Sequence, residues 1–234
     1  MPLMIPTMKQ SCIPTGIPAL DSAMSGGISA GESILLITEN SIDAARLMQT
    51  VLLNLIREKK KALYISSKKS VATLAFELKG RGDVPDEIDS YIFDAGVPDE
   101  NTFFPLLDKI TASPAGCCVF LDSLTSYVPF AEDNFALFMQ RVNKAMREFA
   151  EKSIACIFLV SAGAFTKEHE VCFADLFSHV WRLTQESSEQ KTIRVLSIES
   201  ISQDAVLSPR EALQLSASLS PDGTVALSYL RKIR

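Results

Sequence analysis

Apolar positions along this chain fall into two alternating rhythms. Ser33 to Ile37 is a short apolar run of buried-strand type, and Leu47, Met48, Val51, Leu52, Leu55 and Ile56 then recur at helical spacing, predicting a helix over about 41–57. The pairing of strand and helix repeats. Ala62–Ser66 reads as a strand and Val71–Lys79 as a helix, with Ser70 as its N-cap and Gly80 and Gly82 as its stop. Ser90–Asp94 is a third short strand, followed by a helix over Thr102–Thr111 and by Gly116–Asp122, an apolar strand that ends in a carboxylate. A long amphipathic helix spans about 133–152 and carries Phe135, Phe138, Met139, Val142, Met146 and Phe149 on one side. Ile154–Val160 is another buried strand. Strands alternating with helices predict βαβ units and a mainly parallel sheet.

After Phe177 the rhythm changes. His179–Leu183, Ile193–Ile198, Leu213–Ala217 and Val225–Tyr229 are strand-like and separated by polar turns, among them Ser220-Pro-Asp-Gly223, a strong hairpin signal. These four segments predict antiparallel strands that extend the same sheet. The expected fold class is α/β: a three-layer sandwich with helices on both faces of a mainly parallel sheet and antiparallel strands on its C-terminal side. A loose leader over 1–12 and a single domain over 13–234 are expected.

Composition narrows the picture. At 234 residues, 47% hydrophobic and 22% charged, the chain can bury one sizeable core. A net charge of −5 and a pI near 5.2 give no global case for nucleic acid. No apolar run reaches the roughly 18–20 residues of a membrane span, and the proline-bearing start has no continuous apolar core of a secretory signal. Five cysteines form no C-x-x-C pair, and Cys117, Cys118 and Cys156 sit in or beside apolar runs, where buried thiols are expected. A cytoplasmic location is the expectation.

The first strand, its turn and the first helix together have the shape of a phosphate-binding loop. Such a loop uses G-x-x-x-x-G-K-[ST]: glycines for close backbone approach, lysine for the phosphates, a hydroxyl for Mg²⁺. Laid over it without gaps, the four defining positions are Thr38, Asp43, Ala44 and Ala45, with Glu39, Asn40, Ser41 and Ile42 between. Both glycines, the lysine and the magnesium hydroxyl are absent.

The chain resembles the RecA-fold ATPases, in particular the KaiC/RadA-like branch, over nearly its whole length. Thr15-Gly16-Ile-Pro-Ala-Leu20-Asp21, then Gly26-Gly27-Ile28 and Gly31, is similar to that family's T-G-x-x-x-L-D and G-G-I lead-in. Leu63–Ser66 resembles the second strand, Val119-Phe-Leu-Asp122-Ser123-Leu-Thr125 the Walker B strand, and Phe173-Ala-Asp175 with Val180–Leu183 the A-D-x-V-I-x-L segment. The departures fall where the family does chemistry. Lys68 and Lys69 stand where its catalytic acids follow the second strand, and Ile198-Glu-Ser-Ile201, near which its basic pair would fall, holds no Lys or Arg. A lysine cannot serve as general base at neutral pH. Glu39 and Asp43 would repel an anion at the helix start. Phosphoryl transfer depends on positioned positive charge, and each lost charge-assisted contact costs about 1.5–3 kcal/mol.

The resemblance therefore implies a degenerate site: no catalytic residue, no ATP or Mg²⁺ cofactor, and a non-catalytic scaffold or regulatory subunit. Partners would be proteins, either further copies in a homo-oligomer or an active RecA/KaiC-like ATPase. A ligand-binding module that keeps a remodelled cleft near Thr38, Asn40, Ser41 and Asp122 is a second expectation. An accessory role beside a RadA-like recombinase is a third, against which the acidic pI counts. Lys68 or Lys69 could reach Asp122 and fill the site with an internal ion pair; two solvated lysines are the plain alternative. His169 and His179 lack ligand spacing for a metal, and Ser123 and Ser161 lack a base partner for nucleophilic catalysis. The phenylalanine-rich helix reads as core or as a subunit face, and the basic tail 231–234 as a frayed end.

Overall fold

The structure, a computed structural model, describes residues 12–81, 84–99, 101–188, 191–200, 213–220 and 222–229. The expected leader (apart from Cys12), Gly82, Ile201 and the basic tail lie outside the described residues. β1 (Cys12–Ile13) and β2 (Ile28–Ser29) form a small antiparallel ribbon around α1 (Pro18–Ala23). Asp21 explains this lead-in: its Oδ1 accepts from the Thr15 N–H at 2.6 Å and hydroxyl at 2.7 Å, and its Oδ2 from the Gly16 N–H at 3.2 Å. Gly16 has φ +73°, and a Cβ there would lie 2.7 Å from Asn54 Cβ, so only glycine lets the latch press onto the helix behind it.

β3 (Ser33–Thr38) leads into α2 (Ser41–Arg57), β4 (Ala62–Ser66) into α3 (Val71–Lys79), and β5 (Ile92–Asp94) into α4 (Phe103–Thr111). β6 (Cys118–Asp122) is followed by α5 (Val128–Asp133) and α6 (Phe135–Glu151), and β7 (Ala155–Ser161) by α7 (Lys167–Ala174). The chain then runs through β8 (His179–Ser188), β9 (Lys191–Ser200), β10 (Leu213–Leu219) and β11 (Val225–Tyr229). These last nine strands make one sheet in the order β11-β10-β9-β8-β3-β7-β6-β4-β5.

Burial on both faces explains why the central strands are continuously apolar. Ile34 and Leu36 of β3 point to the core packed by α2 and α3, whereas Leu35 and Ile37 point to the core packed by α4–α7. On the second face, Phe138 of α6 packs against Phe103, Phe165 and Phe173 with ring centroids 5.1, 6.2 and 5.5 Å apart, so this helix is core along that stripe.

Two differences from expectation have physical causes. β8 runs parallel to β3, and the antiparallel extension begins only at β9. The link from β7 to β8 passes through α7, a crossover of the kind parallel neighbours need. The helices α1, α5 and α7 were not predicted, because six to eight residues hold too few apolar repeats to declare a period. No helix among the described residues is long and apolar enough to cross a membrane.

Candidate functional site

The carboxyl ends of the parallel strands converge in register: Thr38 of β3 beside Ser161 of β7, and Ser66 of β4 beside Asp122 of β6. In an open α/β sheet this edge is where ligands bind. At the first turn, Asn40 caps α2, its Oδ1 accepting from the N–H groups of Ile42 at 3.1 Å and Asp43 at 3.4 Å. Those N–H groups are among the ones a phosphate would use. The Thr38 hydroxyl accepts from the Asn40 N–H at 3.0 Å and faces the carbonyls of Asn40 and Leu183. Asp43 is buried, and its Oδ2 receives the Asn40 amide at 3.2 Å and the Arg194 guanidinium, Nε donating. A buried carboxylate needs this pairing. Glu39, by contrast, is exposed.

The second cluster is built around Asp122. Tyr64, fully buried on β4, donates its hydroxyl to Asp122 Oδ2 at 2.8 Å, and Lys68 Nζ stands 3.7 Å from Oδ1. That separation is a through-space pair without a hydrogen bond, and Oδ1 has no hydrogen-bond partner. Burial, then the Asp122 charge, push the Tyr64 phenol well above its usual value, so it keeps the proton it donates to Asp122. Lys69 turns away, its Nζ 2.6 Å from Glu77 Oε2. Of the two lysines considered from sequence, Lys68 is the one that reaches Asp122.

Beside these clusters, between α2 and α3, opens a cleft of about 730 Å³. Ser41, Ile42, Ala45, Arg46 and Gln49 of α2 line it, with Lys68, Arg81 and Asp122.

Residues 12–225 match the model of a family of unknown function, DUF7125. The chain belongs to this family. Among solved structures, a KaiC-like protein, PH0186, from the hyperthermophilic archaeon Pyrococcus horikoshii OT3 superposes on the DUF7125 chain with a TM-score of 0.72 at 13% identity, over 94% of this chain and 99% of that one. At that identity the likeness is one of fold, and it places the DUF7125 chain among RecA/KaiC-like architectures. No curated protein matches it.

Several residues singled out from sequence meet in the DUF7125 fold, and others do not. Thr38, Asn40 and Asp43 form one network, and Lys68 and Asp122 another. Ala44 is fully buried. Ser123 is buried without a partner for its hydroxyl, whereas Ser161 bonds Thr125 by both its N–H and its Oγ. His169 lies on Phe135, centroids 3.7 Å apart, with Nδ1 2.7 Å from Glu132, and His179 sits 3.4 Å from Glu32. Among the described residues no group of three or more His, Cys, Asp or Glu could hold a metal. Asp43, expected with Glu39 to disfavour an anion at the helix start, is paired with Arg194. Arg194 itself was missed. It enters from β9, 151 residues away, and no local pattern announces such a contact.

Proposed function

We propose that this DUF7125 member is a non-catalytic RecA/KaiC-like protein, a pseudo-ATPase that acts as a scaffold or regulatory subunit through assembly with itself or with an active RecA/KaiC-like relative. One observation supports the reading: Asp43, where the resemblance puts the second loop glycine, is buried in the first turn of α2 with its carboxylate held by Asn40 and Arg194. The residues present do not fit a magnesium–nucleotide. The first N–H groups of α2 are capped from within, and the position of the loop lysine is the buried Ala44. Lys68 stands where the resemblance would put an acid, and it neutralises Asp122 without activating water. Because one fold hosts many functions, the regulatory role rests on this loss of chemistry together with the fold and on no activity of a relative.

The test is thermal unfolding with and without millimolar MgATP, alongside phosphate release and native mass spectrometry of the same samples. A ligand held at about 100 times its dissociation constant stabilises by roughly 2.7 kcal/mol, several degrees for a domain. We expect no shift, no phosphate release and a defined oligomer or a stable complex with an active relative. Phosphate release, or a clear MgATP shift accompanied by protection of the 38–45 amides, would sink the proposal. A second reading, a ligand-binding module, is favoured by the cleft of about 730 Å³, which falls within the roughly 300–1,000 Å³ of small-molecule sites.

A further inference from the structure

The cleft between α2 and α3 is lined by more cations than carboxylates, Arg46, Lys68, Lys69, Lys79 and Arg81 against Glu77, Asp122 and Asp222. Three carboxylates line it, and each has a partner: Glu77 holds Lys69, Asp122 holds Tyr64 and Lys68, and Asp222 accepts from the Thr224 N–H at 2.9 Å and hydroxyl at 3.0 Å. Three cations lining it, Arg46, Lys79 and Arg81, have no carboxylate within ion-pair distance among the described residues. The two arginines face each other under the β10–β11 turn, where a Cβ on Gly223 would lie 3.7 Å from Arg81 Nε and 4.0 Å from Arg46 Nε. Burial and the neighbouring Arg46 charge lower the Arg81 pKa, against weaker pulls from Glu77, Tyr64 and Asp222. A like-charged, half-buried pair carries a repulsion that a bound anion would offset.

The cleft also keeps unmet hydrogen-bonding capacity of both signs. Arg81 Nη1 is a buried donor without a partner, and Gln49, only 2% exposed, has Oε1 as a buried acceptor without one. Buried polar atoms are ordinarily satisfied, and exceptions point to a missing partner. Phe76 and Ile42, which also line the cleft, are 81% and 63% exposed and add apolar surface beside its charged groups.

We infer that this cleft binds a small organic phosphate, its oxyanion between Arg46 and Arg81 and a hydroxyl of its body on Gln49. Two guanidinium forks suit a phosphate, which accepts bidentate hydrogen bonds. The site lies beside the turn closed by Asp43 and uses none of that turn's N–H groups. It deepens the ligand-binding reading and stands whether or not the protein assembles.

The test titrates ribose 5-phosphate and inorganic phosphate against the full chain by calorimetry at constant ionic strength, with ribose as the uncharged control. Saturable binding of ribose 5-phosphate, tighter than of inorganic phosphate and absent for ribose, is expected. R46Q and R81Q keep the aliphatic stems, and each should weaken binding roughly tenfold or more. Hydrogen exchange of the wild-type protein, independent of any variant's folding, should report protection on α3 and the second turn of α2. The inference is overturned by an absence of saturation at millimolar probe, by unchanged affinity in both variants, or by protection confined to 38–45. This last result would mark the turn as the anion site and count against the pseudo-ATPase proposal as well.

Discussion

Asp43 and Arg194 are the residues on which the proposed loss of chemistry turns. The carboxylate side chain is 7% exposed and the guanidinium side chain 27%. Removing one member of such a pair strands the other, at a cost of about 3–5 kcal/mol when burial is complete. Arg194→Ala should sit near the low end of that range, because the arginine is partly solvated. The double variant D43A/R194A should cost less than the two singles together, with a coupling of about 2 kcal/mol in urea unfolding. Simple additivity would mean that the two charges do not depend on each other. Sequence made half of this legible. The missing glycines and lysine were plain, and a pair between Lys68 or Lys69 and Asp122 was one of two open alternatives, which the placement of β4 beside β6 decides for Lys68. The partner of Asp43 was not legible, because the register of β9 against β8 decides which of its side chains faces α2.

At the scale of elements, the ribbon, β3 and β8 are tied at their amino ends by Glu32. Its Oε2 accepts from the Ser29 N–H at 2.8 Å and its Oε1 lies 3.4 Å from His179 Nε2. Burial works to raise the carboxyl pKa, but the His179 and Ser29 hydrogen bonds outweigh it, leaving the value below the usual 4.5. A depressed carboxyl contributes stability above its unfolded value, and loses it as pH falls through the folded one. Between pH 7 and pH 3, E32Q should therefore lose less stability than the wild type. Parallel melting curves in acid would check this, and identical slopes would remove Glu32 from the account. The central strands were readable because both faces are buried. The short helices and the parallel course of β8 were not, since pairing direction follows from the crossover and leaves no mark in a five-residue apolar run.

For the whole molecule, two cores on opposite faces of one sheet leave little of the interior open to reagents. Cys117, Cys118 and Cys156 are buried within these cores, whereas Cys172 is exposed on α7. Burial pushes the Cys117 thiol up to about 11 and Cys156 up to about 12, so neither yields thiolate near neutral pH. A thiol-specific chromogenic reagent should modify no more than two of the five cysteines in the native protein, and all five after denaturation. Rapid modification of a third in the native state would contradict the packing described.

The filled turn also has a historical consequence. A path back to a lysine-bearing loop would pass through Asp43→Gly, which strands Arg194, or through loss of Arg194, which strands Asp43. Ala44→Lys would set an ammonium at a fully buried position next to the Asp43–Arg194 pair. Each step alone takes a few kcal/mol from a total stability that is only about 5–15 kcal/mol in native domains. On the proposed pseudo-ATPase reading, each single substitution toward such a loop lowers stability, so selection acting one substitution at a time works as a ratchet against it.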